Sequence, residues 1–199
     1  MANANLARGL VPVRYRSGAP YNGAANVYYV PSTYATALGR GDPVIHVTDA
    51  SDANGIPTVQ RATAAGGAYI LGSMVGVVSA GDPAVAHLAH DPQYHVASTA
   101  GYILVADDPD LLFEIQEDSL GGVMTVGAAG RNADLISGTL STVTGNSGFM
   151  LDSSSLNTTN TLQLRIRGPV VRSDNDQTLD YAKWLVSINL HSVRNLTGV

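Results

Sequence analysis

Residues 102–118, YILVADDPDLLFEIQED, decide the fold. An apolar run, Tyr102-Ile103-Leu104-Val105, meets Asp107-Asp108-Pro109-Asp110, and a second run from Leu111 to Ile115 follows at once. Tyr, Ile, Val and Phe suit the pleated, half-buried surface of a strand. Proline has no amide proton and fixes its own φ, and aspartate bonds to nearby backbone, so DDPD reads as a corner between strands. In the second run Leu111, Phe113 and Ile115 share one face at period two, while Leu112, Glu114 and Gln116 share the other. The corner is expected at the centre of an antiparallel β domain.

Outward from the corner the same pattern repeats. Strands are predicted at 27–31 (VYYVP), 44–48 (VIHVT), 57–62, 133–137 (ADLIS), 149–152 and 184–190 (WLVSINL). Residues 161–166 alternate well, with Leu162, Leu164 and Ile166 on one side and Gln163, Arg165 and Arg167 on the other. The run 69–78, YILGSMVGVV, is long for one strand, and its glycines predict a bulge or bend. Asn54-Gly55 is a strong turn signal. Strands this short, with turns every 8–12 residues or so, indicate a sandwich or barrel. The expected class is all-β: a jelly-roll-like antiparallel β-sandwich or barrel over residues 26–199, preceded by an extended N-terminal arm over residues 1–25.

Composition narrows the function. The chain has 199 residues and no cysteine, which removes disulfides, thiolate zinc sites and cysteine nucleophiles. Charged residues make up 14 %, against about 25 % in typical soluble domains. A net charge of −5 argues against a partner bound through its phosphates, so no nucleic-acid partner is expected. No apolar run approaches the ~18 residues of a membrane span, and the first residues, MANANLARGLVP, lack the apolar centre of a secretory leader. The one lysine is Lys183; every other cationic side chain is an arginine, the better residue for planar, two-pronged contacts.

Several groupings have the residue types of catalytic or metal sites. His87, His90, Asp91 and His95 carry zinc or iron ligand types, but they crowd one Pro- and Gly-flanked segment where convergence on an ion needs a special turn. Asp107, Asp108 and Asp110 lack the glycine-centred loop and terminal glutamate of a calcium site. Glu114 and Glu117 stand at odd spacing on a strand and face opposite sides, against a glycosidase pair. No Gly-x-Ser-x-Gly elbow is present. No catalytic, cofactor or metal residue is assigned. The N-terminal segment offers another pattern: Arg8, Arg14, Tyr15, Arg16, Tyr21, Tyr28 and Tyr29 set arginine and aromatic residues among small ones. Those are the side chains that anchor protein interfaces.

The phrases GAPYNGA (18–24), VYYVPS (27–32), GDPV (41–44), NGIPTV (54–59), YILVADDP (102–109), FEIQEDS (113–119) and AKWLV (182–186) run through most of the chain. Through them the chain resembles a family of tailed-bacteriophage head proteins, the capsid cement or decoration proteins with a jelly-roll core. The resemblance implies a non-enzymatic role without cofactors: binding the outer surface of an assembled icosahedral shell and bridging neighbouring major capsid subunits. It also implies self-association, as a homodimer or a trimer, and residence on the virion after synthesis in the bacterial cytoplasm. The histidine-rich segment 87–95 falls outside these phrases. On this expectation, deleting residues 2–20 leaves the β core folded and lowers capsid occupancy. A carbohydrate-binding jelly roll is the alternative, and a cupin-like metalloenzyme ranks third.

Overall fold

The computed structural model describes residues 2–78 and 93–194. Strands β2 (Asn26–Val30), β4 (Pro43–Ser51), β5 (Pro57–Arg61), β6 (Gly72–Val78) and β8 (Gly101–Ala106) close into a barrel in the order β2-β5-β4-β6-β8. All neighbours are antiparallel except β2 and β5, which meet in parallel at Tyr29 and Thr58. A second layer is an antiparallel sheet in the order β1-β9-β14-β13-β10, built from β1 (Val11–Tyr15), β9 (Leu111–Gln116), β10 (Asn132–Ala133), β13 (Leu164–Pro169) and β14 (Lys183–Ile188). Two short ladders complete the set, β3 (Leu38–Gly39) with β7 (Tyr94–His95) and β11 (Leu135–Ile136) with β12 (Met150–Leu151). The all-β class is as the sequence indicates. Among the described residues no helix is long and apolar enough to cross a membrane.

The two layers make two apolar cores. Inside the barrel, Tyr28, Val30, Val44, Val59, Met74 and Ile103 pack together. Between the barrel wall and the sheet lies a larger core in which Phe113, Ile115, Trp184, Val186, Leu164 and Ile166 come from the sheet, and Ile70, Ala62 and Ala106 from beside the barrel. The DDPD corner joins them: β8 ends at Ala106 in the barrel and β9 begins at Leu111 in the sheet. Asp107 ties the corner back to β2, accepting the Tyr28 hydroxyl at 2.6 Å and the Asn26 amide at 3.0 Å. At the other end, Asp108 accepts the Asp110 N–H at 2.7 Å, which forms the turn. The predicted bend in 69–78 is present. β6 begins only at Gly72, and its register with β8 slips between Met74 and Gly76.

The N-terminal segment departs from expectation. Residues 2–25 are not an arm apart from the core, because β1 forms the edge of the sheet against β9 and Leu10 is fully buried. The strand is hard to see in the sequence because Val11-Pro-Val-Arg-Tyr carries a proline and an exposed face, which read as a polar tail. Residues before it are held by side chains instead of a ladder. The Asn3 amide donates to the carbonyls of Asp176 (2.7 Å) and Asp180 (2.9 Å), and its oxygen accepts the Asp176 N–H at 2.8 Å. Gln116 accepts the Leu6 N–H at 2.9 Å and donates to Asn5 at 2.8 Å. Deleting residues 2–20 therefore strips an edge strand and is expected to destabilise the sheet. A finer test is Leu10→Ala, expected to cost about 2–3 kcal/mol in urea unfolding, the low half of the range for buried leucine because a terminal segment can relax into the space. Asn3→Ala is expected to cost about 1 kcal/mol.

Candidate partner interface

The outward face of the sheet is set by strand alternation. Leu164 and Ile166 of β13 point into the core, so Arg165 and Arg167 point out and are exposed. On β14, Trp184, Val186 and Ile188 are core, leaving Lys183, Leu185 and Ser187 on the outer side. Register then lays out the face. Arg165 stands opposite Ser187, Leu185 opposite Glu114, and Leu112 opposite Arg14 of β1. Leu112 is only 6 % exposed yet belongs to neither core, so it forms part of the apolar ground between the arginines.

The central arginines are oriented without being neutralised. Arg165 donates from Nε to Asn132 Oδ1 at 3.0 Å. Arg167 donates from Nε and Nη2 to Ser187 Oγ at 3.0 and 2.9 Å. A guanidinium has five N–H donors, so these bonds fix the heads and leave donors over. Among the described residues, Arg14, Arg165 and Arg167 have no carboxylate within ion-pair distance. Burial, together with the positive charge of Arg16, Arg165 and Arg194 nearby, pulls the Arg167 guanidinium below its ordinary value, so these four groups share one field.

The ends of the face differ. Asp110 pairs with Arg16 at 3.5 Å and also with Arg194. Glu114 receives a two-pronged contact from Arg172 at 2.9 and 3.1 Å. Asp174 takes Arg172 and, at 3.3 Å, Lys183, and the Arg172 contact above all brings its carboxyl down to about 2. Cationic groups outnumber their acid partners across this face, in a chain whose net charge is −5. The positive charge is therefore concentrated, and the remainder of the molecule is correspondingly acidic.

The residues singled out in the sequence scatter. Arg14 lies on this face and Arg16 at its end. Arg8 and Tyr21 join Arg40 in a separate groove of about 460 Å³, floored by Leu10, Pro12 and Met74. Tyr15 and Tyr21 pack partly against the larger core. Tyr28 is a correction: it is 8 % exposed, packed inside the barrel edge-on to His46, with its hydroxyl spent on Asp107, so it is closed to a partner. Tyr29, one residue on, turns to the barrel exterior beside Tyr102, with ring centres 5.5 Å apart. The sequence reading does not include Arg165, Arg167, Arg172 and Arg194 among the interface residues. The alternation in 161–166 does put Arg165 and Arg167 opposite the apolar side; what it lacks is the sheet that sets them beside Arg14 and Arg16.

The other groupings are also placed. His87, His90 and Asp91 lie outside the described residues. His95 is 3 % exposed, and burial lowers its pKa. Among the described residues no three His, Asp or Glu side chains are gathered as a metal would need. Glu114 and Glu117 do face opposite ways: Glu114 meets Arg172 outside, while Glu117 is fully buried. No protein-family model, curated protein or solved structure matches the chain.

Proposed function

We propose that the chain is a structural virion protein that docks on the outer surface of an icosahedral phage shell, across neighbouring major capsid subunits, and strengthens it. The observation that carries the proposal is the arginine-bearing sheet face, whose oriented and unpaired guanidiniums over apolar ground have the makings of a protein contact. The phrases that resemble phage head proteins supply the identity of the surface it meets. The mechanism is multivalent. Each contact is modest, but copies linked by self-association raise one another's effective concentration, and binding only the assembled lattice stabilises it by mass action.

Co-sedimentation with shells stripped of this protein, before and after expansion, tests the proposal. Saturation at a fixed ratio to capsid subunits, with shells that then survive more heat, is the expected result; no binding to either form sinks it. A carbohydrate-binding role has one observation in its favour, the Tyr29–Tyr102 pair on the barrel exterior, with the Tyr102 hydroxyl donating to Asp52 at 2.6 Å. Trp184, the one tryptophan, is fully buried and is no sugar platform. Binding on a glycan array that Tyr102→Ala removes would favour that role.

A further inference from the structure

We infer that the outward face of the sheet takes an extended acidic protein segment, with Arg165 and Arg167 as its two-pronged anchor. This rests on the shell-binding proposal and deepens it by naming the chemistry of the partner. Arg165 and Arg167 flank Ile166 on β13, where the register against β14 slips between Ile166 and Gly168, and both are gathered at Ser187: Arg165 stands opposite it and Arg167 donates to its hydroxyl. Alternate side chains of an extended partner lie about 6.6–6.8 Å apart, within the reach of two long arginine side chains on one face, so carboxylates at positions i and i+2 meet both guanidiniums. Asn132 and Ser187 hold the arginine heads in place before binding, which reduces the entropy lost when a carboxylate docks.

The described acids on this side are already engaged. Asp110 serves Arg16 and Arg194, and Glu114 and Asp174 serve Arg172 at the far end. The central pair is left to an outside acid. Leu185, half-buried and in register with Glu114, offers apolar contact for an intervening side chain of a peptide. A phosphate backbone would gain nothing from that ground. It would also bring a long polyanion up to a molecule of net charge −5.

The test measures fluorescence anisotropy with three labelled probes: a short peptide alternating Glu and Thr, its Gln counterpart, and a single-stranded oligo-dT. The protein is expected to prefer the Glu peptide to both others, and added salt should weaken binding as the screening length falls from about 10 Å at 0.1 M toward 3 Å at 1 M. Arg165→Gln with Arg167→Gln should weaken peptide binding about tenfold or more. Arg165→Lys with Arg167→Lys should recover only part of it, because a point charge lacks the fork. All four substitutions are at exposed positions, and unchanged urea midpoints would verify that the variants fold. Equal binding of Glu and Gln peptides, tighter binding of oligo-dT, or full retention in the Gln variant would overturn the inference.

Shell co-sedimentation of the same variants separates it from the parent proposal. If parent and Gln variant both sediment with shells, the capsid role stands and the anchor falls. If the parent binds the acidic peptide but no shell, the anchor stands and the capsid role falls.

Discussion

Asp42→Ala is expected to lower the unfolding free energy by about 3–5 kcal/mol, read as a shift in urea midpoint. The carboxylate is fully buried and holds three groups at once. Its Oδ2 accepts the Gly39 N–H at 2.8 Å, its Oδ1 accepts the Ser147 hydroxyl at 2.5 Å, and Arg61 stands 3.9 Å away. Burial pushes the Asp42 carboxyl above its usual range, against the pull of those three partners. Alanine would leave the Gly39 and Ser147 donors without an acceptor and a largely buried guanidinium without its carboxylate. Asparagine in the same place behaves differently. Its oxygen can keep the Gly39 bond while its amide donates to Ser147, whose hydroxyl rotates, so Asp42→Asn is expected to cost only about 1–2 kcal/mol. Arg61 stays in place in either variant, because it donates to the Gly138 carbonyl at 2.7 Å and lies 4.4 Å over the Phe149 ring. Equal losses in the two variants would show that Asp42 acts through its charge alone.

Asp42 also shows where the sequence is legible and where it is not. Gly39-Arg40-Gly41-Asp42-Pro43 reads as a loop between strands, and a turn from Gly39 to Asp42 is what forms there, with the Asp42 N–H donating to the Gly39 carbonyl at 3.0 Å before β4 begins at Pro43. Nothing local reveals that the side chain faces inward to meet Ser147, 105 residues along the chain. Gly41 is similarly committed. Its φ is +91°, and a Cβ there would overlap the Arg8 carbonyl oxygen, so the N-terminal segment crosses at backbone distance. That crossing helps seat Leu10, and the composition of a polar tail carries no trace of it.

Local patterns survive folding best. The faces of β9 are readable because alternation and core membership agree: Leu111, Phe113 and Ile115 enter the larger core and Glu114 meets Arg172 outside, although Leu112 and Gln116 on that outer side are covered as well. The strand predicted at 184–190, formed by Lys183–Ile188, is readable because Trp184, Val186 and Ile188 all enter the core. What strand alternation cannot supply is which strands are neighbours. β1 and β13 lie far apart in the chain, yet one sheet carries both. Only that pairing converts scattered arginines into a face. The N-terminal arginines stand out because they are close in sequence, and the sheet separates Arg8 from Arg14 while joining Arg14 to Arg165.

Two buried groups with opposite responses to protons give the second large effect. Glu117 is fully buried; its Oε2 accepts the Met124 N–H at 3.2 Å, and its Oε1 has no partner among the described residues. Burial, helped by neighbouring Asp118, raises its carboxyl from 4.5 to about 7. His191 is 1 % exposed; its Nδ1 accepts the Val193 N–H at 3.2 Å. Burial and the positive charge of Arg194 lower it from 6.5 to about 4, against the opposite pull of Asp107 and Asp108. A carboxyl raised by folding contributes its full stability below pH 4.5 and loses it as the pH climbs through 7. A histidine lowered by folding contributes fully above pH 6.5 and loses it as the pH falls through 4. Each swing is roughly 3 kcal/mol at about 1.4 kcal/mol per pH unit. Between pH 4.5 and 6.5 the two slopes oppose and nearly cancel in the parent. Glu117→Gln removes one of them. The variant-minus-parent difference in unfolding free energy should therefore rise by about 3 kcal/mol from about pH 4 to pH 8, whatever the offset from replacing a carboxyl with an amide. His191→Asn keeps an acceptor for Val193 and should give a difference that falls by a similar amount from about pH 4 to pH 7. Urea unfolding across that range measures both. A flat difference for Glu117→Gln would mean that Glu117 titrates alike in the folded and unfolded chain, near 4.5, with its buried charge compensated by neighbours.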